Sequence, residues 1–185
     1  MDFDRRRLLA AASLVAMLGA APAASAADEH IINLDTKYGR TVIRLRPDLA
    51  PKHVERIEKL AKEHFYDGIV FHRVIDGFMA QAGDPTGTGT SGSRYLDLKA
   101  EFSGEPFKRG TLGMARQPGD VDSANSQFFI CYADAPQLNG KYTVFGEVVS
   151  GMEAIDKIKK GSKSDNGMVA DPDKIIKLRV AGDES

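Results

Sequence analysis

The chain of 185 residues has one cysteine, four histidines and no tryptophan. A lone cysteine excludes an internal disulfide, and Cys131 sits in an apolar run, which reads as a buried thiol rather than a nucleophile. His30, His53, His64 and His72 show no metal-type spacing with one another or with the cysteine, so no metal is expected. Neither charge sign dominates: 25 Lys and Arg face 26 Asp and Glu, for a net charge of −1. That balance, with no basic aromatic surface in the sequence, argues against nucleic acid or an anionic membrane as partner. No G-x-S-x-G elbow occurs, and Ser126, in a strand-like run, has no evident base. Internal repeats, linkers and a second domain are also missing.

A run long enough to span a bilayer is lacking too, because the apolar stretch at residues 8–18 is short and alanine-rich. Arg5, Arg6 and Arg7 precede it and Ala24, Ser25 and Ala26 follow it, so residues 1–26 read as a cleavable export signal. The mature chain is then residues 27–185, with 22 basic and 24 acidic side chains once Asp2, Asp4 and the three arginines are gone. The arginines also resemble a twin-arginine signal, and the general secretory route stays open beside it. No cysteine follows the apolar run, which excludes a lipoprotein anchor. The expectation is an exported, periplasmic monomer with no membrane association after cleavage.

What the chain does have is the composition of an ordinary globular protein, 42% hydrophobic and 28% charged. Residues 30–35 and 41–45 are β-rich runs around a turn ending in Gly39. Pro51 opens a helix to about His64, with Val54, Ile57, Leu60 and Ala61 on one face and a solvated charge run on the other. Strands are expected at 111–116, 126–132, 142–149 and 174–181, and a second helix at 151–159. With two strands in the stretch described next, roughly eight short strands and two helices favour a mainly β antiparallel barrel.

Residues 69–84, IVFHRVIDGFMAQAGD, make the unusual demands. Two strands flank the turn at Asp76 and Gly77, and alternation puts Phe71, Arg73 and Ile75 on one face and Val70, His72 and Val74 on the other. A cation between large apolar residues is either a snorkelling arginine at a sheet rim or one aimed into an apolar cleft, near Phe78, Met79 and the Gln81 amide. Gly87 to Gly92 spells G-x-G-x-x-G, but no helical period follows, so a dinucleotide site gives way to a glycine-rich loop.

FHRVIDGFMAQAGD resembles the signature of the cyclophilin-type peptidyl-prolyl isomerases. Ser126 to Cys131 (SQFFIC) and Tyr142 to Met152 (YTVFGEVVSGM) resemble two further family blocks, in order and at fitting spacing. The resemblance covers roughly residues 29–181 and implies a closed, eight-stranded antiparallel barrel capped by two α-helices. It implies prolyl isomerisation without a cofactor, on proline-containing polypeptides. By position it assigns Arg73 to the prolyl nitrogen and Phe78, Met79, Phe129 and Leu138 to the proline pocket. Gln81 and Gln127 line the site, Gly87, Ala115 and Arg116 meet the peptide, and Tyr142 forms an aromatic wall. His72 alternates away from Arg73 and the reaction transfers no proton, so it is read as structural. Gln137 stands where many members carry tryptophan, which implies weak cyclosporin binding, and Tyr142 where many carry histidine. Arg116 replaces a common asparagine. Two other classes remain: a barrel that binds proline segments without turnover, and a small-molecule carrier.

Overall fold

The computed structural model describes residues 30–183, so the expected export signal and the cleavage point before Ala27 lie outside the described residues. A hairpin of β1 (Ile31–Thr36) and β2 (Gly39–Leu45) opens the chain, followed by α1 (Pro51–Lys62). Proline at the first helical position presets φ, and lysines 59 and 62 lie in the last turn, where the helix dipole favours positive charge. Ala50 offers no side-chain cap; instead Glu101, on a distant loop, accepts hydrogen bonds from the backbone N–H groups of Lys52 and His53. The helix stops short of His64, which adopts a left-handed φ of 57°.

Six strands follow: β3 (Arg73–Ile75), β4 (Met79–Ala82), β5 (Thr111–Met114), β6 (Phe128–Cys131), β7 (Val144–Ser150) and β8 (Lys177–Val180). A short α2 (Met152–Asp156) leaves β7 at Gly151, whose φ of 80° suits glycine. It ends three residues before the expected Lys159, although Ile158 stays buried. The strands form one sheet in the order β3-β4-β6-β5-β7-β2-β1-β8, every ladder antiparallel. The expected closure needs one correction, because no ladder joins β3 to β8. Two isolated bridges, Val70 to Lys174 and Arg73 to Met168, span the seam, and Val74 donates its N–H to the Gly167 carbonyl at 2.7 Å. The loop before β8 therefore acts as the missing staves.

Two hydrophobic clusters lie on opposite faces of this curved sheet. Inside, Leu34, Ile43, Phe128, Ile130, Phe145 and Leu178 pack with Val54, Ile57 and Leu60 of α1 and Ile155 of α2. Outside, a smaller cluster joins Met79, Phe107, Phe129, Cys131, Leu138 and Val144. Period-2 alternation sorts β6 between them, with Phe128 and Ile130 inward and Phe129 and Cys131 outward. Both faces being covered, β5 and β6 are buried at every residue, which is why the sequence reads there as a continuous apolar run. Phe71 corrects the expected alternation. It belongs to the inner cluster with Val74, because the regular ladder begins only at Arg73 and the residues before it follow the seam. Arg73 therefore shares its face with Ile75 but not with Phe71.

Candidate active site

Register places one row of residues across the outer face. Arg73 stands opposite Gln81, Gln81 opposite Phe129, Phe129 opposite Gly113, and Gly113 opposite Val144. Five strands thus hand one row of side chains to a single surface, and neighbouring strands lie only about 5 Å apart. In the adjoining row Ile75 pairs with Met79 and Met79 with Cys131. Cys131 is buried there, its thiol pushed up to about 12 by desolvation first and the Asp134 charge second, so it is inert packing.

The apolar part is a nest of rings. Phe129 stacks on Phe107, centroids 5.6 Å apart, and meets Tyr142 edge-on at 5.7 Å. Glycine at 113 makes this possible, since a Cβ there would lie 2.4 Å from Phe129 Cζ and 2.6 Å from Phe107 Cε1. Met79 and Leu138 are buried in the same cluster, and half-buried Phe78 packs against it. Leu138 ends a 3-10 turn, Pro136–Leu138, that leaves its neighbour Gln137 exposed. Arg116 lays its guanidinium 4.6 Å from the centre of the Tyr142 ring, so this wall is capped by a cation.

The polar part is a relay of amides. Arg73 Nη1 donates to Gln81 Oε1 at 3.2 Å, Gln81 Nε2 donates to Gln127 Oε1 at 2.9 Å, and Gln127 Nε2 donates to the carbonyls of Gly89 and Ser91 at 3.1 and 2.8 Å. Both ends fix the direction. A guanidinium only donates and a carbonyl only accepts, so each amide has one orientation that satisfies its neighbours. Asn166 completes the frame, its backbone oxygen accepting from Arg73 Nε at 2.9 Å and its Oδ1 from Nη2 at 3.0 Å. Among the described residues no carboxylate pairs with Arg73. Burial lowers its pKa from the ordinary value, with a smaller opposing effect from Tyr142, but arginine stays charged.

A cleft of about 440 Å³ adjoins the row, lined by residues 89–93 and 115–118 with Gln81 and Gln127. Ala115 and Arg116 therefore border it, though the Ala115 N–H is already held by the Gln127 carbonyl at 2.9 Å. Gly87 does not. It packs against Val70, where a Cβ would lie 2.9 Å from Cγ2, while Gly89 borders the cleft. The loop runs without a helix, as expected, and Asp84 knots it by accepting from the N–H groups of Thr86 and Ser91. His72 lies beneath, 1% exposed, with neither ring nitrogen bonded, and so close to the loop that a Cβ at Gly89 would lie 3.3 Å from its ring. Desolvation lowers its pKa, more than the Asp84 charge raises it, which keeps it neutral.

Nine of the ten expected residues besides Arg73 thus gather on one surface with it, and Gly87 is the exception. Phe107, Gly113, Gly89 and Asn166 were not expected there. A glycine inside a strand is a signal of close approach that could have marked Gly113; the other three carry none.

Comparison with known proteins supplies the family. A family model, cyclophilin type peptidyl-prolyl cis-trans isomerase/CLD, matches residues 31–180. A probable peptidyl-prolyl cis-trans isomerase of Brucella suis is 55% identical over 195 aligned positions, covering 99% of this chain and 99% of that protein. Peptidyl-prolyl cis-trans isomerase B of Bacillus subtilis is 48% identical over 119, covering 63% of this chain and 81% of its own. The crystal structure of a Cryptosporidium parvum cyclophilin-type isomerase, determined in the presence of the dipeptide Ala-Pro, has a TM-score of 0.75 at 30% identity, covering 82% of this chain and 98% of that one. AquaCyp293 of Hirschia baltica shares the fold, with a TM-score of 0.75 at 23% identity, covering 85% of this chain and 76% of that one. Fold, ordered motifs and relatives converge: this chain belongs to the cyclophilin-type peptidyl-prolyl cis-trans isomerases.

Proposed function

We propose that this isomerase acts on X-Pro bonds during the folding of exported proteins, with Arg73 engaging the prolyl nitrogen and the ring nest holding the proline. An amide resists rotation because the nitrogen lone pair conjugates with its carbonyl, at a cost of roughly 18–20 kcal/mol. A donor at that nitrogen keeps the lone pair out of conjugation. The contact forms only as the amide twists, so it favours the transition state over both ground states. No bond breaks, and neither nucleophile nor cofactor is required.

One observation carries the reading. A guanidinium with only neutral oxygens on it stands in the same row as Phe129. A carboxylate would neutralise the charge that the twisted amide meets. In a barrel that only binds proline segments, or carries a small molecule, such a cation has no task. Turnover of a short X-Pro peptide by Arg73→Ala tests the role; a folded variant with full activity refutes it.

The export reading rests on Arg5 to Arg7, the apolar run and the small residues before Ala27. Intact mass of the periplasmic protein beginning near Ala27 would support it, and retention of Met1 in the cytosol would sink it. Cyclosporin is a weak ligand in this reading, because Gln137 offers the rim an exposed amide in place of an indole.

A further inference from the structure

Arg73 is a long side chain, and a donor useful only at the twisted amide has to be aimed before the substrate arrives. Its brace is uneven. Gln81 takes a single Nη1 hydrogen, whereas Asn166 accepts from both Nε and Nη2, the two nitrogens on one side of the planar fork. Those three contacts leave two of the five guanidinium N–H groups for a ligand.

Asn166 can do this because of its backbone. A φ of 48° and ψ of 32° put it in the left-handed region, which asparagine tolerates better than most residues. Its main-chain and side-chain oxygens then reach one guanidinium together. The loop itself is clamped to β3: Val74 donates to the Gly167 carbonyl at 2.7 Å, and Gly161 donates to the Val74 carbonyl at 2.9 Å. Gly167 packs so closely that a Cβ would lie 2.4 Å from Ile75 Cγ1. Asn166 is thus fixed by the docking of its loop on Val74 and Ile75, the two residues after Arg73, although Asn166 is itself exposed.

We propose that Asn166 is a positioning residue for the isomerase reaction, a neutral two-point acceptor that aims Arg73 without quenching its charge. The inference rests on the reading of Arg73 as the donor to the prolyl nitrogen. An amide fits the task better than a carboxylate, because aspartate would hold the same fork but pair the cation.

The test uses Asn166→Gly, Asn166→Asp and Arg73→Ala in the full chain, with kcat, KM and the melting temperature measured at pH 7 for one X-Pro peptide. Glycine suits the left-handed backbone and keeps the main-chain oxygen, so the melting temperature should hold or rise. With the side-chain acceptor gone, kcat should fall roughly five- to tenfold, about one hydrogen bond's worth, while KM moves less than about twofold. Asn166→Asp keeps the two-point hold but pairs the cation, so its kcat should fall at least as far as in Asn166→Gly while the melting temperature holds. A merely structural asparagine would leave kcat unchanged in both variants wherever the fold is intact. Wild-type kcat in Asn166→Gly, or in Asn166→Asp, overturns the proposal while a crippled Arg73→Ala leaves the role of Arg73 intact. Full activity in Arg73→Ala overturns both.

Discussion

His53 Nδ1 lies 2.6 Å from Glu101 Oε2, and the same carboxylate caps the first turn of α1. One acidic side chain from a loop thus serves as the missing N-cap and as the partner of a fully buried imidazole. Glu101→Ala should cost about 1–2 kcal/mol at pH 7, the usual size of a cap near a helix dipole. For a domain of this size that is a melting temperature lower by several degrees, readable by thermal unfolding. Unchanged melting would mean that α1 caps itself.

Acid should act on stability before it acts on the carboxylates. Desolvation lowers the pKa of His53 despite the opposing Glu101 charge, and it lowers that of His72 as well. A folded-state pKa below the unfolded one contributes stability that is full above the unfolded value of about 6.5 and fades as pH falls toward the folded value. Unfolding free energy should therefore begin to drop as pH falls below about 6.5. His72→Leu should shrink that drop, because its ring nitrogens have no partners to lose. Across pH 6.5 to 8 the same variant should keep wild-type kcat/KM, since no proton is transferred. A large loss there would make His72 more than packing.

Gly113→Ala probes the ring nest. The new methyl would sit inside the contact radius of both Phe129 and Phe107, and overpacking of this kind costs about 1–3 kcal/mol. Denaturant unfolding should register the loss, and KM for an X-Pro peptide should rise more than kcat falls. A variant with normal KM would place the proline away from Phe129.

The amide relay makes a polarity prediction. Gln127→Glu puts a carboxylate oxygen against the carbonyls of Gly89 and Ser91, where only a donor fits. The loop should move away, Gln81 should lose its defined orientation, and kcat/KM should fall roughly tenfold. Wild-type turnover in this variant would show that the relay does not reach Arg73.

At the rim, Gln137→Trp should strengthen cyclosporin binding roughly tenfold, since about 60 Å² of regained apolar contact is worth ~1.5 kcal/mol. Titration of both proteins with the drug decides it. Equal affinities would mean that Gln137 does not border the site.

Much of this surface was readable before any coordinates. Arg73 stands out within one short strand as a cation among apolar residues, whereas Met79, Gln81 and Phe129 follow from the resemblance of their blocks to the family's. The failures have local causes. Phe71 was set on the wrong face because alternation was carried back past Arg73, where the ladder has not begun. Within the Gly-Thr repeat at 87–90 spacing cannot tell which glycine borders the cleft, and it is Gly89 whose carbonyl accepts from Gln127, 38 residues further on. Asn166 acts across 93 residues, and a single asparagine in a polar loop gives no hint of an arginine so far away. Phe107, outside any strand, has no period to reveal it.

The seam separates two parts of the site by how they are held. Strands β3 to β7 supply the rings and the amides, but the two-point brace on Arg73 and the bridges that close the barrel come from residues 166–174. The rings and amides come from residues 78 to 142, so the brace forms only when this separate loop docks on β3. Local opening of the loop would free the guanidinium while leaving the ring nest packed.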